Sequence, residues 1–174
     1  MALKRRNFLA AGAAAAAAAG CSSTKSPWRT LSDSEAATLD AVCACLIPVD
    51  QNPGAREAGV VHFIDRQLTR KFKDMRPDYA RWLAALGARN FAGLPAAEQT
   101  KLLAALEKGE GDKAAWGPDG GREAFNTVLT HTMMGFYGSP RHGGNREAVS
   151  WKMLGVPEAP VRGRLAYNDP GGAA

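Results

Sequence analysis

The residues whose types and spacing invite a chemical reading are three histidines, three cysteines and one pair of adjacent arginines. His131 and His142 flank a loop, Gly138-Ser139-Pro140-Arg141-His142-Gly143-Gly144-Asn145. Imidazoles titrate near neutral pH and suit acid–base work. As a dyad they would need a third group to orient them, and the sequence names none. The other reading is two hydrogen-bonded histidines that fix the loop. His62 lies off the apolar stripe of its own segment and reads as a rim residue. No His-Glu-x-x-His or Glu-x-x-His pattern occurs, no P-loop, and no Gly-x-Gly-x-x-Gly after a strand. Cys43 and Cys45 are two residues apart, which on a helix puts them on different sides, so they do not readily pair. The spacing is neither a zinc knuckle nor a haem-attachment motif. It leaves two readings: small buried apolar side chains, or one disulfide to a partner chain in an oxidising compartment.

The loop itself has a specific shape. Gly143 and Gly144 allow left-handed backbone or close approach, Pro140 fixes one turn, and Asn145 can bond its own backbone. Phe136, Tyr137 and Trp151 flank it, and aromatic residues are enriched where partners dock. His131, Phe136, Tyr137, Pro140, Gly143, Gly144, Asn145 and Trp151 are therefore the candidate partner interface. An ordinary helix–turn–helix connection is the plainer alternative.

Helical periodicity must position these residues. Ser32-Asp33-Ser34-Glu35 fits a capping box. The following helix carries Ala36, Leu39, Val42, Cys43, Leu46 and Ile47 on one face and stops before Pro48. Val60, Val61, Ile64, Leu68 and Phe72 recur at helical spacing, as do Tyr79, Trp82, Leu83 and Leu86. Pro95 starts a helix with Leu102, Leu103 and Leu106 facing in. Residues 109–121 are rich in glycine and charge and are expected to form a mobile loop. The last long helix, 122–137, is expected to turn Phe125, Val128, Leu129, Thr132, Met133 and Phe136 inward. Met133 and Met134 beside Phe136 read as core packing rather than a cofactor box. No strand alternation competes. The fold class is all-α: a single helical-bundle domain of about six helices after an N-terminal signal peptide.

The expected organisation is a signal peptide over 1–20, a tether over 21–30, the helical domain over 31–157, and an extended or disordered tail over 158–174. The leader has a positive start, an apolar Ala-rich run of about a dozen residues, and a small-residue cleavage region. That run is shorter than the roughly 20 residues a membrane span needs. Arg5 and Arg6, with Phe8 and Leu9, resemble a twin-arginine export signal, which implies export of an already folded protein. Ala18-Ala19-Gly20-Cys21 resembles a lipobox, which implies acylation of Cys21; plain cleavage near Ala19 is the alternative. The expected location is periplasmic, with a lipid anchor holding the chain to the membrane surface. The formal charge of +5 is partly the leader's: without Lys4, Arg5 and Arg6, 19 basic residues face 17 acidic ones. That small excess argues against a nucleic-acid partner.

Several stretches together carry a family resemblance. Leu46-Ile47-Pro48, the glycine-bearing run from Pro53 to Val60, and Phe63-Ile64-Asp65 belong to it. So do His131 to Pro140, Gly143-Gly144-Asn145, Trp151 and Leu154-Gly155. They resemble the gluconate 2-dehydrogenase subunit 3 family, which includes small subunits of membrane-bound flavin sugar dehydrogenases. His142 stands where that family commonly carries Tyr. The resemblance implies a non-catalytic exported subunit with no cofactor of its own. Its implied partners are a large flavoprotein dehydrogenase carrying FAD, a possible cytochrome subunit carrying haem c, and the twin-arginine export machinery. The large chain would travel out on this one. The competing reading is a stand-alone exported ligand-binding lipoprotein or small enzyme that uses the His131–Asn145 loop.

Overall fold

The computed structural model describes residues 26–157. The leader residues Arg5, Arg6, Phe8 and Leu9, the acylation candidate Cys21, and the tail over 158–174 lie outside the described residues. Among the described residues there are no strands. Seven helices run in order: α1 (Asp33–Leu46), α2 (Val60–Gln67), α3 (Arg76–Gly87), α4 (Ala96–Lys108), the single turn α5 (Lys113–Trp116), α6 (Arg122–Tyr137) and α7 (Val149–Leu154).

α1 starts where the sequence expects. The Ser32 side chain accepts from the Glu35 N–H, and the Glu35 carboxylate accepts from the Ser32 N–H. Together they satisfy two of the donors that a helix start leaves free. α1 is the central helix, in contact with α2, α3, α4 and α6. Burial at Thr38 and Ala41 as well as Ala36, Leu39, Val42 and Cys43 follows from being surrounded. Small side chains let neighbouring helices close in from several sides. Around it pack Ile64, Tyr79, Trp82, Leu83, Phe91, Leu103, Leu106 and Phe136 as one core.

Two expectations are corrected here. The α2 stripe does not run on as helix to Phe72: α2 ends at Gln67, and a turn followed by a 3-10 segment (Lys73–Met75) leads into α3. Phe72 is buried all the same, because the turn folds it back under the core. The stretch 109–121 is also more fixed than its composition suggests. Asp112 caps α5 by accepting from the Ala114 N–H. Trp116 is buried, and Gly121 approaches Leu106 and the Trp116 ring so closely that a side chain there would overlap them. One indole in the core outweighs a glycine-rich composition.

The chain ahead of α1 forms a strap. Asp65, on the apolar stripe of α2 and 3% exposed, accepts the backbone N–H groups of Arg29 (2.7 Å), Thr30 (3.0 Å) and Leu31 (3.0 Å). Arg76 at the start of α3 donates to the Thr30 hydroxyl and carbonyl and to the Glu35 carboxylate. Trp28 stacks on His62 with ring centroids 4.6 Å apart. The last residues of the expected tether are thus fastened to the domain.

Candidate functional site

The candidate site is the hairpin of α6, the glycine-rich turn and α7. The inward stripe of α6 is Ala124, Val128, His131, Thr132, Gly135 and Phe136. It is rotated from the expected one, and Met133, expected inside, is exposed. Gly135 explains the rotation: a Cβ there would lie 2.9 Å from Phe63 Cδ1 and 3.1 Å from Val60 Cγ1. Its bare backbone lets α2 and α6 touch and turns the methionines to the opposite side.

A helix end leaves carbonyls that need donors. Here the turn supplies them. Gly138 N–H donates to Met134 O. Ser150 Oγ donates to Phe136 O at 2.6 Å, Trp151 Nε1 to Tyr137 O at 2.9 Å, and Asn145 Nδ2 to Gly138 O at 2.9 Å. Asn145 Oδ1 in turn accepts from the Ser150 N–H. Gly144 sits on the Gly135 carbonyl, which any Cβ would overlap. Asn145, Glu147 and Ala148 all have positive φ. Asn tolerates that region; Glu and Ala resist it, and the bonds of Arg146 N–H to Ala58 O and Ala148 N–H to Asn145 O hold the turn there.

The expected interface residues therefore divide. His131, Phe136, Gly144 and Asn145 are interior. They build the hairpin, and their side chains or backbone are turned into it rather than outward. Tyr137 is exposed, and Pro140, Gly143 and Trp151 are half-buried. His131 and His142 do not form a dyad. His131 Nδ1 bonds to Tyr79 Oη at 2.8 Å and the ring stacks on Phe72 at 3.8 Å, whereas exposed His142 accepts from Arg141 Nε. Burial, with help from Lys71, pushes the His131 pKa down to about 4, so its ring is neutral at pH 7.

The cysteines divide as well. Both are free thiols. Cys43 is fully buried, 3.3 Å from Thr132 Oγ1, and burial pushes its pKa up to about 12. Enclosed in the core, Cys43 packs as a small apolar side chain. Half-buried Cys45, beside Thr100 Oγ1, is the one a second chain could reach. Among the described residues no three His, Cys, Asp or Glu side chains come together as a metal site.

Part of what the hairpin presents outward is apolar. Met133, Met134, Tyr137, Met153, Leu154 and Val156 are all exposed. Apart from Val49, they are the only large exposed apolar side chains among the described residues. Sequence reasoning missed this face because it counted Met133 as core. It also missed the strap-holding role of Asp65, whose signal was a carboxylate at helical spacing within an apolar stripe, and Ser150, which has no signal without the fold. Among known families, residues 33–157 match the one described as Gluconate 2-dehydrogenase subunit 3. No curated protein and no solved structure matches.

Proposed function

The chain belongs to the gluconate 2-dehydrogenase subunit 3 family, and from that premise we propose that it is the non-catalytic small subunit of a periplasmic FAD-dependent sugar or alcohol dehydrogenase. The family name implies a place within a gluconate dehydrogenase complex. In our reading FAD resides in a large flavoprotein partner, and haem c, where present, in a third, cytochrome subunit. This chain stabilises the flavoprotein and escorts it through the twin-arginine pathway, with Cys21 as the lipid anchor.

The observation that carries the reading is the exposed face of Met133, Met134, Tyr137, Met153, Leu154 and Val156. Clustered exposed apolar side chains mark interaction surfaces, and methionine adapts to irregular partners. Half-buried Trp151 ties α7 to the end of α6 by donating to the Tyr137 carbonyl. The stand-alone reading is less well supported, because His131 and Asn145 are enclosed and already bonded.

Co-expression with the flavoprotein and fractionation of the cells test both arms. Met133→Asp with Tyr137→Asp should lower co-purified flavoprotein by roughly tenfold or more, in line with aromatic anchors at interfaces. The small subunit's own melting temperature should barely move, since both side chains are exposed. Undiminished recovery of flavoprotein would remove the interface. Changing Arg5 and Arg6 to Lys should leave both chains in the cytoplasm, because a planar guanidinium pair is not replaced by ammonium groups. Wild-type dehydrogenase activity in the periplasm would remove the escort role alone.

A further inference from the structure

The arginines of this domain are unevenly placed. Trp28 and His62 stack, and with Arg56, Arg146, Asp33 and Asp40 they line one surface depression. Gly143 lies against His62 O and Arg66 Cδ, and Arg66 Nη1 donates to Arg141 O at 2.9 Å. Arg66, Arg141 and Arg146 thus adjoin the Trp28–His62 stack, and exposed Arg29 follows Trp28 in the strap. Among the described residues none of these four is in an ion pair. Of the acids close by, Asp40 is neutralised by Arg56, Asp65 is buried beneath the strap, and Asp33, which accepts from Ser26, keeps its charge. Glu147, beside Arg146, is exposed.

The same face receives the chain from the leader. Ser26 is five residues beyond Cys21, a distance of at most about 18 Å when fully extended. A domain of this size has a radius of gyration near 14 Å, so about 30 Å or more separates opposite sides. A lipid on Cys21 reaches the Trp28 side and falls short of the far one.

We propose that the Trp28 face, with Arg29, Arg66, Arg141 and Arg146, rests on the anionic phospholipid surface of the membrane. The arginines meet lipid phosphates, and the half-buried indole of Trp28 sits at the headgroup level, where amphipathic rings are favoured. A polybasic surface supplies the second attachment that makes a lipid anchor stable. The proposal uses the anchor reading for its geometry and does not depend on the accessory-subunit reading.

The test is sedimentation of the full chain with vesicles of phosphatidylcholine containing about 30 mol % phosphatidylglycerol, against phosphatidylcholine alone. It is done in the Cys21→Ser background, so that no acyl chain contributes. The leader is common to all variants. Arg29→Glu with Arg141→Glu should weaken binding to the anionic vesicles by roughly tenfold or more. Lys101→Glu with Lys108→Glu, the same charge change on exposed sites of α4, should stay within about twofold. Wild-type binding should fall steeply as salt is raised. Equal loss in both double variants, no loss in the first, or binding indifferent to salt would each overturn the proposal. Unchanged vesicle binding with loss of co-purified flavoprotein in the first variant would do so too, by assigning the face to a protein partner. Flavoprotein recovery also reports the accessory role separately.

Discussion

Protonating His131 would place a charge between Phe72 and Tyr79, where little water reaches it. The folded pKa of about 4 lies below the ordinary 6.5, so the unfolded chain takes up this proton first as pH falls. The stability tied to a neutral His131 is complete above about pH 6.5 and is lost between there and pH 4. At 6% exposure the loss is on the order of 2–3 kcal/mol. His62, lowered by burial and by Arg146, acts in the same direction. Glu35 acts lower. Burial works to raise its carboxyl, but hydrogen bonds from Ser32 and the Arg76 guanidinium outweigh that and hold it below 4.5. Melting temperature followed from pH 7 to pH 4 should fall in the wild type and fall less in His131→Gln. Equal slopes would mean that His131 is not the group responsible. The sequence shows the histidine but not this behaviour, because its stacking and bonding partners are 52 and more residues away.

At the scale of elements, the Gly143-Gly144-Asn145 turn is a cap for α6 before it is anything else. Gly144→Val would force the turn off the Gly135 carbonyl, at a cost of roughly 3 kcal/mol. For a domain of this size that lowers the melting temperature by about 10 °C. Loss of partner binding should follow loss of fold; a variant that melts normally yet no longer binds would return the turn to the interface. Helix starts were the most legible feature. The Ser32 box and Pro95 sit where local chemistry demands them, and the all-α class follows from periodicity alone. The inward face of α6 was less legible. Periodicity weighs methionine as core and gives no weight to Gly135 or His131, yet a missing side chain and a bonded imidazole are what the contacts with α2 and α3 use. The same blindness hid the methionine face, since exposure of Met133 follows from where Gly135 points.

Across the whole molecule, two surfaces stand out: an apolar one on the α6–α7 hairpin and an arginine-bearing one around Trp28. Neither was legible in composition, because 22 basic and 17 acidic residues say nothing about clustering. The strap links the second surface to the fold. Arg29, Thr30 and Leu31 precede the first helix, and none belongs to a helical ladder. Backbone at such a position ordinarily swaps its amide hydrogens for deuterium as fast as an unfolded chain. Here one carboxylate, on a helix more than thirty residues later, holds all three. These amides can be released only when the strap lifts from α2. Their deuterium uptake should therefore be slow and should track that of α2, while Asp65→Ala should restore free-chain rates at residues 29–31 first. Rapid uptake in the wild type would mean that the domain begins at α1 and that the leader swings freely from it.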